Sequence, residues 1–370
     1  MQTRPLGKTG LHTTLIGFGG FHLIETPQKD VKSLLNRYLD EGGNYIETAA
    51  DYGAGLSEKK IGQAISSRRD DFILASKCVK RTAEEAGESI HRSLKHLRTD
   101  HLDILFMHAV QSIEEANQIL APDGAIEAAR KAQQDGKVRF IGISGHGQPD
   151  ALIHAIRKYP YDVLLTGFNY LDHFNFPKTE EILLKECLEK GIGVIGMKAL
   201  ADGYLYRSAK QAIRYALSLP ISCLVLGINT REYLNADLET AQSLKPMTDE
   251  EKEILYRDAT ELGDYVCRQC GKCDGIMKVN PSEIFLLEGE FDRQMNDGRV
   301  PDPAQYALAE RLKHWFMQQE SAIRKYQNRS IKINPDQDYS VLNSKCPYSI
   351  DIHRKLILAH SKLCADEYIF

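Results

Sequence analysis

No window of this chain approaches the ~20 unbroken apolar residues of a membrane helix. Its first residues, Met1 to Lys8, carry no apolar signal-peptide core. These two absences set the expectation of a cytoplasmic protein without a membrane partner. A basic excess is missing too. The 47 Lys and Arg face 51 Asp and Glu, a net charge of −4, whereas nucleic-acid binders carry a clear positive surplus. The fingerprint G-x-G-x-x-G does not follow the first strand candidate, which runs into Gly17-Phe18-Gly19-Gly20 instead. That argues against a doubly wound nucleotide fold. Apolar residues are plentiful, at 42% of 370 residues, enough for a real core. At ~100–200 residues per domain, the size suggests two or three domains, or one large barrel with an appendage.

Strand and helix patterns then alternate. An N-terminal hairpin (Thr3–Leu6 and Thr13–Ile16) flanks Gly7-Lys8-Thr9-Gly10. Apolar strand candidates follow at Leu15–Gly19, Tyr45–Thr48, Phe72–Ser76, Leu102–Met107, Val138–Ile143, Asp162–Phe168, Gly193–Met197 and Cys223–Leu226. Helix-period segments lie between them. Ala83, Ala86, Ile90, Leu94 and Leu97, for example, share one face. Strands alternating with helices give a parallel sheet with crossover helices. Eight such units before about Ser243 match a (β/α)8 barrel, an α/β TIM barrel. The expected division is a barrel over 1–247 and a small, mainly helical domain over 248–370. Within the second part, Thr248–Leu262 and Pro303–Gln327 read as helices, and Asn334–Asn343 reads as a loop.

Barrel active sites lie at the carboxyl ends of the strands. Glu47 and Thr48 end the second strand, with Tyr52 in its loop. Lys77 ends the third strand, His108 the fourth, and Ser144, Asn169 and Lys198 the fifth to seventh. Carboxylate, phenol, amine and imidazole therefore converge on one mouth. A carbonyl turning into an alkoxide needs a proton donor and local positive charge. A neighbouring ammonium is expected to lower a tyrosine's pKa.

The motifs carry a family resemblance over about residues 3–245. Asn44-Tyr45-Ile46-Glu47-Thr48-Ala49-Ala50-Asp51-Tyr52-Gly53 with Ser57-Glu58 resembles the tyrosine signature of the aldo-keto reductases. Ile73-Leu74-Ala75-Ser76-Lys77, Asp103-Ile104-Leu105-Phe106-Met107-His108 and Gly136-Lys137-Val138-Arg139-Phe140-Ile141-Gly142-Ile143-Ser144 resemble three further motifs of that family. The resemblance implies hydride transfer between a nicotinamide (NADP or NAD) and a small carbonyl or alcohol. It makes Tyr52 the proton donor, Lys77 its pKa-lowering partner, His108 the carbonyl-orienting group and Glu47 the carboxylate behind the lysine. Glu47 departs from the family's usual Asp. The resemblance also marks Gly20, Ser144, His146, Asn169, Met197, Lys198, Gly227, Asn229 and Arg231 as cofactor positions. Arg231 is the cation of the last barrel loop and favours a 2′-phosphate.

Eight cysteines in a chain without a signal peptide point to metal binding or burial before disulfides. Cys267, Cys270 and Cys273 form C-x2-C-x2-C, and Cys346-Pro347 follows far downstream. Three thiolates at this spacing plus a remote Cys-Pro suit one [4Fe–4S] cluster; a structural zinc is the rival reading. The tail resembles the dicluster ferredoxin-like extension of some aldo-keto reductases. The second cluster's positions here are Ile276, Asp336, Tyr339 and Leu342, so one complete site is expected. Cys78, Cys187, Cys223 and Cys364 are expected as buried, inert thiols, and His91, His96 and His101 as solvated. Two further readings stay open: a nucleotide-binding sensor with little turnover, and a cluster that conducts electrons to a redox partner protein.

Overall fold

A computed structural model of the protein describes residues 1–147, 149–293 and 318–364. Two compact units are present. The first comprises Met1–Asn169, Lys178–Leu200 and Arg207–Pro246; the second comprises Tyr170–Pro177, Ala201–Tyr206 and the chain from Met247.

The first unit opens with an antiparallel pair, β1 (Thr3–Pro5) and β2 (His12–Thr14). Their turn passes very close to the barrel floor. Gly7 has φ +53, and a Cβ there would lie 2.3 Å from Gly193 N and 2.5 Å from Gly191 O, so only glycine fits. Eight parallel strands then close into a barrel: β3 (Ile16–Gly19), β4 (Tyr45–Glu47), β5 (Ile73–Cys78), β6 (Leu102–Met107), β7 (Val138–Ser144), β8 (Val163–Gly167), β9 (Gly193–Met197) and β10 (Cys223–Gly227). The order is sequential, and β10 pairs with β3 to close it. The strand–helix alternation predicts this (β/α)8 architecture.

Side chains alternate along each strand, so every second residue enters the barrel. Leu6, Tyr45, Ile73, Ala75, Ile104, Phe106, Val163, Leu165, Ile195, Met197, Cys223 and Val225 form that packed interior. The segment that follows β6 carries a short helix of its own. Ile113–Ile119 is helical, and the Ser112 side chain caps it by accepting from Glu115 N.

Among its described residues the second unit holds helices and no strand. They include Asp249–Asp258, Pro281–Asp292, Gln318–Gln327 and Ile352–Leu363. Thr248 and Glu251 form a reciprocal capping box at the first of these. The predicted helix over Pro303–Gln327 lies partly outside the described residues. Pro281–Asp292, which the sequence pattern did not show as a helix, supplies Ile284, Phe285 and Phe291 to the core. Tyr339 and Leu342, at positions where a second cluster would need cysteines, are fully buried in that same core. The unit also takes in residues 170–177 and 201–206, which the sequence reading assigned to the barrel half.

Candidate functional site

The period-2 alternation that fills the barrel also builds its mouth. In β4, Tyr45 faces inward, so Glu47 does too. In β5, Ile73 and Ala75 precede Lys77 in the same parity. Ile104 and Phe106 precede His108, Phe140 precedes Ser144, and Val163 and Leu165 precede Asn169. The polar residues are thus the last members of apolar inward-facing rows.

Tyr52 is set differently. Gly53, Ala54 and Gly55 all have positive φ (60°, 51° and 85°), a tight bend into helix Leu56–Ile65. Ser57 Oγ donates to Gly20 O at 2.7 Å and accepts from Thr48 Oγ1 at 2.8 Å. A Cβ on Gly20 would sit 2.8 Å from both Glu47 O and Ser57 Oγ, so this close approach requires glycine. Phe21 then packs edge-on against the Tyr52 ring at 4.9 Å. Phe21 carries no sequence signal beyond following Gly20.

The structure brings Tyr52, Lys77, Glu47 and His108 together. Lys77 Nζ lies 2.5 Å from Glu47 Oε1, and it donates to Tyr52 Oη at 2.9 Å and to Thr48 O at 3.0 Å. The longer glutamate therefore reaches the lysine. All four side chains are buried, with Lys77 only 1% exposed. The His108 ring stands 5.8 Å from the Tyr52 ring, edge to face. Both of its nitrogens are buried without a hydrogen-bond partner. Its Nδ1 is 3.7 Å from Asp51 Oδ2, too long for a hydrogen bond. Asp51, next to the tyrosine, is thus a neighbour of the histidine that the motif reading left aside.

Burial governs the protonation states. It pushes the Tyr52 hydroxyl well above its ordinary value, and the Glu47 and Asp51 carboxylates push the same way. The expected lowering by Lys77 is outweighed, and Tyr52 is a phenol rather than a phenolate. Burial lowers Lys77, while Glu47 holds it up. His108 is pushed down to about 4, mainly by burial, so it is neutral at pH 7.

The proposed cofactor positions are spread around the mouth. Ser144 Oγ accepts from Ala109 N at 3.3 Å, and Asn169 Nδ2 donates to Lys198 O at 3.0 Å. Lys198 has φ +60, and Met197 belongs to the barrel interior. His146 is buried and Gly227 exposed. Asn229 is half-buried. Arg231 begins helix Arg231–Gln242 and contacts Ser33 Oγ at 3.3 Å.

Other motif residues are architectural. Asp103 accepts from Leu74 N, Arg69 Nη2 and Arg139 Nη1 at 2.9, 2.7 and 2.6 Å. Asn44 ties β2 down by accepting from Thr14 N and donating to His12 O, both at 2.8 Å. Glu58 accepts from Ser76 Oγ at 2.7 Å and lies 3.2 Å from His96 Nδ1. His96 is therefore held by a buried carboxylate and is not solvated.

In the second unit, Cys267, Cys270, Cys273 and Cys346 line one cavity, walled by Phe285 and Ile352. Cys273 is buried and Cys270 exposed. Burial pushes the Cys267 thiol up to about 11 and the Cys273 thiol up to about 12. Among the described residues, no three His, Cys, Asp or Glu side chains are gathered tightly enough to chelate one metal ion. Cys78, Cys187 and Cys223 are buried, but Cys364 is exposed; it ends helix Ile352–Leu363, 3.6 Å from His360 Nδ1.

Comparisons with known proteins bear on the barrel half of the chain. The model of the Aldo/keto reductase family matches residues 15–250. An L-galactose dehydrogenase of Arabidopsis thaliana is 32% identical over 218 residues, covering 55% of this chain and 67% of that protein. A D-threo-aldose 1-dehydrogenase of a Pseudomonas species is 27% identical, covering 48% of this chain and 61% of that protein. Among solved structures, an aldo-keto reductase from Bacillus halodurans in its holo form superposes with a TM-score of 0.60. It is 24% identical and covers 68% of this chain and 94% of its own. No helix among the described residues is long and apolar enough to cross a membrane. With the buried Tyr-Lys-Glu-His group at the mouth of a parallel eight-stranded barrel, the chain belongs to the aldo/keto reductase family and is an NAD(P)-dependent oxidoreductase.

Proposed function

We propose that this protein interconverts a small carbonyl compound and its alcohol with Tyr52 as the proton donor and acceptor, and that its second unit holds one [4Fe–4S] cluster on Cys267, Cys270, Cys273 and Cys346. The observation that carries the first part is the 2.9 Å contact of Tyr52 Oη with a lysine buried beside Glu47. A bound nicotinamide supplies or removes the hydride. Buried His108 nitrogens without a protein partner fit a substrate oxygen at this mouth, because an unmet polar atom is costly there. Neutral His108 then hydrogen-bonds that oxygen and orients it. Protonated Tyr52 gives up its proton as negative charge develops on the oxygen. The phenolate left behind faces the Lys77 ammonium, which Glu47 keeps charged and in place. In this reading Ser144 and Asn169 hold the cofactor's carboxamide, and Arg231 a 2′-phosphate.

The second part rests on four thiols gathered around one cavity. A cubane takes its thiolates at four separate corners, which suits side chains spread around a cavity. A single zinc needs four sulfurs converging at about 2.3 Å. The cluster when bound supplies a one-electron centre and a cross-link between Cys346 and the cysteine run. Metal binding also draws protons from thiols that burial otherwise keeps protonated.

Two measurements test this reading. NADPH or NADH oxidation is followed with a panel of aldehydes and aldoses, with turnover expected for at least one. Anaerobically purified protein is analysed for metal, with about four irons and four acid-labile sulfides expected from the stoichiometry of such a cluster. One equivalent of zinc with no sulfide would refute the cluster.

A further inference from the structure

Arg268 stands between the first two cysteines of the run. It is 7% exposed and lines the same cavity as the four thiols. The hydrogen bonds it donates through Nε and Nη1 all go to backbone carbonyls. Nε donates to Tyr256 O at 3.0 Å, and Nη1 to Leu262 O at 3.1 Å and to Val266 O. The guanidinium lies over the Tyr348 ring, 5.0 Å from its centre. Carbonyls satisfy hydrogen bonds but do not balance a charge. Arginine cannot shed its proton in a protein, and a buried charge without a counter-charge is costly.

Among the described residues no carboxylate pairs with Arg268. The nearby Lys355 shows the contrast. It also feels Cys267, but it is paired with Glu288, which Lys362 holds as well at 2.9 Å. Its charge is balanced within the protein. The guanidinium of Arg268 instead shares its cavity wall with the thiols of Cys267, Cys270, Cys273 and Cys346.

We propose that Arg268 is the fixed counter-cation of the anionic group held by Cys267, Cys270, Cys273 and Cys346, and that it holds that group's reduction potential up. This inference rests on the cluster reading above. Four thiolates on an oxidised cubane core give a net charge of 2−. Acceptance of one electron, from dithionite in the titration below, takes it to 3−. A cation fixed in the cavity wall stabilises the more negative form more strongly. Arg268 is therefore a positioning and tuning residue, remote from the hydride chemistry.

The test uses full-length, anaerobically purified wild type, Arg268→Gln and Arg268→Lys. Iron and sulfide are measured first, then the midpoint potential by dithionite titration of the visible absorbance. Arg268→Gln should shift the midpoint negative by at least 59 mV, a tenfold change for a one-electron couple. Arg268→Lys should recover most of that shift. If Arg268→Gln loses iron, retention of iron by Arg268→Lys supports the charge role. A full iron load at the wild-type potential in Arg268→Gln overturns the proposal. Equal iron loss in both variants also overturns it, because the bonds to carbonyls would then matter and the charge would not. Wild type with zinc and no sulfide overturns the underlying cluster reading instead, before any variant is compared.

Discussion

Glu47→Gln tests the coupling at the barrel mouth most severely. The substitution keeps the shape and removes one charge from a pair whose side chains are 5% and 1% exposed at 2.5 Å. Breaking such a pair on one side costs about 3–5 kcal/mol, because the other charge stays buried alone. Burial already lowers Lys77, and Glu47 is the main group opposing it. The lysine therefore relieves part of the cost by losing its proton. For a barrel of this size each kcal/mol moves the melting temperature by about 2–4 °C, so a drop of roughly 6–20 °C is expected by calorimetry. Activity falls for a second reason. Lys77, now a neutral amine, no longer balances the charge of the phenolate formed when Tyr52 gives up its proton, a loss of roughly 10²–10³ in kcat by analogy with removing one stabilising donor. The double variant Glu47→Gln/Lys77→Met removes both charges. It should melt above Glu47→Gln alone while remaining as inactive. Wild-type kcat and an unchanged melting temperature in Glu47→Gln would refute the reasoning.

Four further outcomes follow from the same geometry. His108 sits at about 4 against an ordinary 6.5, so the unfolded chain binds more protons between those values. Its contribution to stability is complete above pH ~6.5 and falls by about 3 kcal/mol as pH drops to ~4, which denaturant melts from pH 4 to 8 would read. Reductive kcat/KM should be level from pH ~6 to 9, because His108 is neutral and Tyr52 protonated throughout. Arg231→Ala should reduce the preference for NADPH over NADH roughly fivefold, the size of an exposed charge pair of about 1 kcal/mol. Cys346→Ala should lose iron and acid-labile sulfide while NADPH binding persists, and Cys364→Ala should lose neither, by metal analysis beside cofactor titration.

The barrel was legible because its strands are short apolar runs set between amphipathic helices. The two-residue period then carries the reading from Tyr45 to Glu47 and from Ile73 to Lys77. Less legible were elements stabilised by contacts distant in sequence. Helix Pro281–Asp292 buries Glu288 and Glu290 beside its apolar residues, because lysines 355, 362 and 325 reach them. Those buried charges erase the one-sided pattern a surface helix shows. His96 reads as a solvent-facing residue on an exposed helix until Glu58, 38 positions away, is seen beside it. Cys364 has apolar sequence neighbours but ends its helix exposed. The protonation of Tyr52 also escapes the motif, which names its lysine neighbour but not the burial that outweighs it.

The central claim is that Tyr52 transfers the proton while the rest of the site holds the cofactor. Tyr52→Phe keeps the ring packed on Phe21 at 4.9 Å and removes only the hydroxyl that Lys77 contacts at 2.9 Å. Steady-state reduction of the best aldehyde from the panel is measured beside NADPH binding by fluorescence. The account predicts a kcat loss of roughly 10²–10⁴, with NADPH affinity within a few-fold of wild type. Turnover within tenfold of wild type would contradict it.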